Sequence, residues 1–198
     1  MANHFSLINS TNICTFTRYK IIEKMKKIVL LYWGKGGNVE KAARKVYNMF
    51  NKEIIDMFDV VSFDINTINN YELMILGHST IGAEDWQDAK PDNEWNKFFR
   101  AIESKENIDI MATSFGLGDQ VLYPDHFVDA LGIYQEEMDK SNIKTIGHWP
   151  SFGYKFTDSD GEKDGFFYGL ALDIDNEPEL SDERIKDWTT EIKKELGI

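Results

Sequence analysis

The chain has 198 residues, 42% of them hydrophobic, and carries 34 acidic against 22 basic side chains for a net charge of −12. That length builds one well-packed core and is short for two domains, while the negative charge repels nucleic acid and anionic membranes. The longest apolar run, Ile28 to Trp33, is far below membrane-spanning length, and a lone Cys14 excludes an intramolecular disulfide and any cysteine-based metal cluster, which fits a reducing, cytoplasmic setting.

Residues 1–24 are rich in Asn, Ser and Thr and have neither helical nor strand periodicity, so a disordered extension is expected ahead of a domain spanning residues 25–198. A first strand is read over Lys27–Tyr32, followed by the loop Trp33-Gly34-Lys35-Gly36-Gly37-Asn38 and a helix from Val39 to about Phe50, where Ala42, Ala43, Val46 and Phe50 recur at helical spacing. Glu53–Phe58 reads as a second strand. The third, Glu72–Gly77, carries a Leu-Met-Ile-Leu run suited to burial on both faces. Then come a helix over Glu94–Ile102, a strand over Ile108–Phe115, and an amphipathic helix over Asp125–Lys140 behind Pro124. A fifth strand is expected at Lys144–His148, and a last helix capped by Ser181 runs to about Leu196.

Repeated strand–helix units predict an α/β domain: a doubly wound, five-stranded parallel sheet with right-handed crossovers. Ligands of such sheets sit beyond the C-terminal strand ends, so the loops after strands one, three and four carry the functional signal. The first is a glycine-rich turn into a helix N-terminus, which aims free backbone N–H groups and the positive end of the helix dipole at a phosphate. This loop has no Ser or Thr, so hydrogen bonds to that phosphate come from backbone, Asn38 or Lys35.

The other two loops are Gly77-His78-Ser79-Thr80-Ile81-Gly82 and Ser114-Phe115-Gly116-Leu117-Gly118-Asp119-Gln120-Val121-Leu122-Tyr123-Pro124. With Gly169-Leu-Ala-Leu-Asp173 and Asp182-Glu-Arg-Ile-Lys-Asp-Trp188, they make residues 26–198 resemble a long-chain flavodoxin. The resemblance implies a strand order of 2-1-3-4-5, non-covalent FMN, and low-potential one-electron shuttling between redox proteins with no substrate turnover of its own. It assigns Gly34, Lys35, Gly36, Gly37, Asn38 and Val39 to the phosphate. Ser79, Thr80, Ile81, Gly82, Ser114, Phe115, Gly116, Gly118, Asp119 and Tyr123 go to the rest of the cofactor. Tyr123 stands where such proteins stack a tyrosine on the isoalloxazine, Asp119 where a group accepts from flavin N3–H, and Gly82 where a peptide turns toward flavin N5. Thr80 and Ser114 read equally well as turn-stabilising hydroxyls.

Two features depart from the family pattern. Hydroxyls usually surround the phosphate where this chain has Gly34, Lys35, Gly36 and Val39, and a tryptophan commonly covers the flavin where it has Ile81. A second reading follows: a binding or regulatory module of the same fold without tight FMN. Trp33 and Trp86 are alternative stacking groups or rim packing. The expected partners are a basic-faced reductase and electron acceptors steered by the acidic surface, which is densest from Lys155 to Ile198, with 13 Asp/Glu against 6 Lys/Arg. A monomer is expected, and no metal, because His4, His78, His126 and His148 are scattered.

Overall fold

The computed structural model describes residues 27–79 and 93–198. β1 (Lys27–Tyr32) forms because Ile28, Val29, Leu30 and Leu31 are all apolar and lose nearly all contact with water, as a central parallel strand requires. Alternation divides its side chains between two cores. Ile28, Leu30 and Tyr32 join the cluster containing Val39, Val46, Trp188 and Ile192, whereas Val29 and Leu31 join the one containing Trp95, Phe98, Tyr134 and Met138.

The first core is closed by α1 (Asn38–Asn48), with Val39, Ala42, Ala43 and Val46 inward, and by α4 (Pro178–Leu196), with Ile185, Trp188 and Ile192 inward. The second is closed by α2 (Glu94–Glu103) and α3 (Ala130–Lys140). Each fully buried large apolar side chain stabilises the fold by about 1.5–3 kcal/mol, so the two faces together supply the main driving force. β1 pairs in parallel with β2 (Ile55–Asp59) and β3 (Tyr71–His78), and β3 pairs with β4 (Met111–Leu117). Among the described residues the main sheet has five strands in the order β2-β1-β3-β4-β8, where β8 is Leu170–Leu172.

The last place in that order corrects the expected fifth strand. Lys144–His148 contributes a single parallel bridge, Thr145 to Ala112, beside the first half of β4. Leu170–Leu172 pairs with the second half, Phe115–Leu117. Between them lies a small antiparallel sheet of β5 (Trp149–Pro150), β6 (Glu162–Lys163) and β7 (Phe166–Phe167). The edge position is thus shared by two pieces of chain. Two helix starts also differ. α4 opens at Pro178, and Ser181 lies within it, its hydroxyl donating to the Asp173 carbonyl at 3.1 Å. α3 begins at Ala130, because Val128 has φ +53° and Asp129 ties its carboxylate to the Asp160 N–H and His126. The expectation for residues 1–24 falls outside the described residues.

Candidate functional site at the strand ends

The loop leaving β1 turns twice through backbone conformations that glycine adopts without strain: Gly34 at φ +107° and Gly36 at φ +83°. Gly37 donates to the Gly34 carbonyl at 3.1 Å and serves as N-cap of α1 without a side-chain cap. The N–H groups of Asn38, Val39 and Glu40, in the first turn, have no intrahelical acceptor and point out of the positive helix end. Alternating left- and right-handed backbone of this kind forms a nest for an anion. Lys35 is exposed on the same loop, and Asn38 Oδ1 accepts from Lys41 Nζ at 3.2 Å.

Glu40 is part of this loop's architecture. Its Oε2 accepts the Gly36 N–H at 2.6 Å, and its Oε1 accepts from Arg44. The Gly36 N–H, and then Arg44, hold its carboxyl below the usual range. Burial, with Glu40 next to it, pushes the Tyr32 phenol up.

The loop leaving β4 is folded over Asp119. Its Oδ1 accepts from Val121 N at 2.9 Å, Leu122 N at 2.8 Å and Asn176 Nδ2 at 2.9 Å. Burial alone would raise the Asp119 carboxyl, but the Leu122 and Val121 N–H groups and Asn176 outweigh it and hold it low. This turn throws Val121, Leu122 and Tyr123 outward, with Tyr123 59% exposed. The fully buried Asp173 ties the loop to the segment after β8, accepting from Gln120 N at 3.2 Å and from Asn176 N at 3.1 Å.

Between these loops lies a cavity of about 590 Å³, within the range of small-molecule sites. Gly34, Gly37, Asn38 and Val39 line one side, Gly118, Asp119 and Tyr123 line another, and Ser79 at the end of β3 lies on it too. Lys35 and Gly36 belong to the same loop. Thr80, Ile81 and Gly82 lie outside the described residues. Ser114, Phe115 and Gly116 are not brought to the cavity: β4 continues to Leu117, so all three are still paired to β3, opposite Leu76, Gly77 and His78, and are buried. Phe115 instead meets Trp188 edge-on at 6.5 Å in the core.

The cavity also takes Trp33, Leu117, Ile174 and Asp175. Ile174 and Asp175 carry no local signal in the sequence, since only the crossing from β4 to β8 brings them here. Glu40 had a legible signal, an acid three residues beyond a helix N-cap. A second depression of about 600 Å³, lined in part by Lys144, His148, Lys163 and Tyr168, shares no residue with this cavity. Among the described residues no cluster of His, Cys, Asp or Glu suits a metal ion, and no helix is long and apolar enough to cross a membrane.

Comparison with known proteins places relatives around this arrangement. A family model described as Flavodoxin matches residues 30–188. A flavodoxin from a Nostoc species is 34% identical over 173 residues, covering 87% of this chain and 99% of its own. One from Synechocystis is 37% identical over 170 residues, covering 85% and 97%. The solved structure of a Fusobacterium nucleatum flavodoxin bound to flavin mononucleotide superposes with a TM-score of 0.72 at 26% identity, covering 86% of this chain and 98% of that one.

Proposed function

We propose that this chain, which belongs to the flavodoxin family, holds FMN in the cavity at the strand ends and works as a low-potential carrier of single electrons between redox proteins. The observation that carries this reading is the pairing of an anion nest with an exposed aromatic ring across one cavity: Gly34–Val39 on one side, Tyr123 on another. The residues fit the group. The nest needs no hydroxyl to take a phosphate monoester, because the N–H groups of Asn38 and Val39 and the Lys35 ammonium are the donors. Tyr123 offers the isoalloxazine a face to stack on, Trp33 and Ile174 offer apolar cover, and Asp119 Oδ1 holds Tyr123's turn in place. FMN, when bound, supplies the redox chemistry.

The missing hydroxyls set the expected affinity. A hydrogen bond to a charged group is worth about 1.5–3 kcal/mol, so each absent hydroxyl costs about one to two decades in Kd unless another donor replaces it. Lys35 and the backbone nest are those replacements. Redox partners dock where Val121, Leu122 and Tyr123 stand exposed beside the cavity, and the net charge of −12 steers basic-faced proteins toward this chain. The protein acts as a monomer without substrate turnover of its own.

Titration of the purified apoprotein with FMN and with riboflavin, followed by quenching of flavin fluorescence, tests the reading. FMN should bind at micromolar concentration or better and riboflavin more weakly. Lys35→Ala should weaken FMN about tenfold and leave riboflavin unchanged. A protein indifferent to micromolar FMN would favour the flavin-free module instead.

A further inference from the structure

Glu40 stands at the third position of α1, and its side chain turns back into the loop, leaving only 12% of it exposed. Glutamate at this position often reaches back to a free N–H in exchange for a Ser or Thr N-cap. Here the N-cap is Gly37, which has no side chain to reciprocate, so the Glu40 carboxylate adds a one-sided clamp to the backbone bond from Gly37 N–H to the Gly34 carbonyl. Its Oε2 takes the Gly36 N–H at 2.6 Å, and its Oε1 takes Arg44 Nε at 3.0 Å and Nη2 at 2.5 Å. One donor of the nest is therefore already committed to an anion that the chain itself carries.

Resting on the FMN reading above, we propose that Glu40 is the specificity-determining residue of the phosphate cradle. It is a resident anion that keeps the loop in its ligand-ready shape and limits how tightly a phosphate ester is held, with Arg44 screening its charge. A phosphate seeking the Gly36 N–H meets the Glu40 carboxylate already bound there, and the two like charges repel each other. The Arg44 guanidinium offsets part of that repulsion from the far side of Oε1. The isoalloxazine, stacked toward Tyr123, does not sense the pair. Glu40 thus governs the preference for the phosphorylated flavin over the unphosphorylated one.

The test compares Kd for FMN and for riboflavin, by fluorescence quenching, in the wild-type chain and two variants. Glu40→Gln keeps an acceptor for the Gly36 N–H and the side-chain volume but removes the charge, so FMN should bind on the order of tenfold tighter with riboflavin unchanged. Arg44→Gln, at a side chain 65% exposed, leaves the fold in place and unmasks the carboxylate, so FMN should bind several-fold more weakly with riboflavin again unchanged. If FMN binds and its ratio to riboflavin stays constant in both variants, or falls in Glu40→Gln, the proposal is overturned while the FMN reading stands. A wild-type chain that binds FMN no better than riboflavin overturns the phosphate reading, and this inference with it.

Discussion

His78 is the last residue of β3 and is 1% exposed. Its ring lies edge-on to Trp95 at 6.4 Å and beside Tyr134 at 6.2 Å, both uncharged, and its Nε2 has no hydrogen-bond partner among the described residues. Burial pushes the imidazole down to about 4, against a slight opposing pull from the Ser79 carbonyl, 3.4 Å from Nδ1. In the unfolded chain the same group titrates near 6.5. Between those values the unfolded chain binds a proton that the folded one refuses, so acid favours unfolding. The contribution of neutral His78 is whole above about pH 6.5 and is lost as the pH falls toward 4. The full difference is worth about 3 kcal/mol, of which about 2 kcal/mol has gone by about pH 5. Acid acts on more groups than His78, so the informative quantity is a comparison with His78→Leu, which is similar in volume and does not ionise. Urea unfolding of the apoprotein, followed by tryptophan fluorescence between about pH 7.5 and 5, should show the variant gaining about 2 kcal/mol on the wild type as the pH falls. A stability difference that stays constant across that range would refute a neutral, buried His78.

Other substitutions probe the frame that positions the cavity. A Cβ at Gly169 would lie 2.3 Å from the Ser114 carbonyl oxygen and 2.6 Å from its hydroxyl, so Gly169→Ala should destabilise the fold by about 1–3 kcal/mol in urea denaturation, by forcing β8 away from β4. Asp173→Ala strands the buried Gln120 N–H and takes an acceptor from the Asn176 backbone N–H and side-chain amide, which untethers the loop after β4 from the segment after β8. It should cost about 2–4 kcal/mol of stability and weaken FMN and riboflavin together, both read from unfolding and fluorescence titrations. Tyr123→Ala should weaken both flavins roughly tenfold, since stacking ignores the phosphate, and it should leave the urea midpoint unchanged because the ring is half exposed.

Much of the frame was legible because it is written in local patterns. The unbroken apolar runs of Lys27–Tyr32 and Glu72–Gly77 mark strands covered on both faces, and each is observed within a residue of its expected ends. The sheet edge was not legible. Lys144–His148 has the look of a strand, yet it makes one bridge, and the piece that completes the edge is three residues long, too short to stand out. The start of α4 was misread because Pro178, an equally good opening signal, precedes Ser181 by three residues. At the candidate site, the glycine loop was singled out by composition and Tyr123 by its motif, and Gly34, Gly37, Asn38, Val39 and Tyr123 all line the cavity. Ser114 and Phe115 were drawn toward the cofactor by the same motif, but the ladder of β4 extends past them and turns both inward. Ile174 and Asp175 reach the cavity through topology alone.

In the function proposed above, the loop Gly34–Val39 receives the phosphate of a flavin whose ring lies against Tyr123. Backbone amide NMR of the labelled apoprotein, titrated in parallel with FMN and riboflavin, tests it residue by residue. The amides of Lys35, Asn38 and Val39 should shift with FMN and stay in place with riboflavin, while those of Asp119 to Tyr123 should shift with both. Equal shifts of the Lys35–Val39 amides with the two flavins, or none with either, would contradict it.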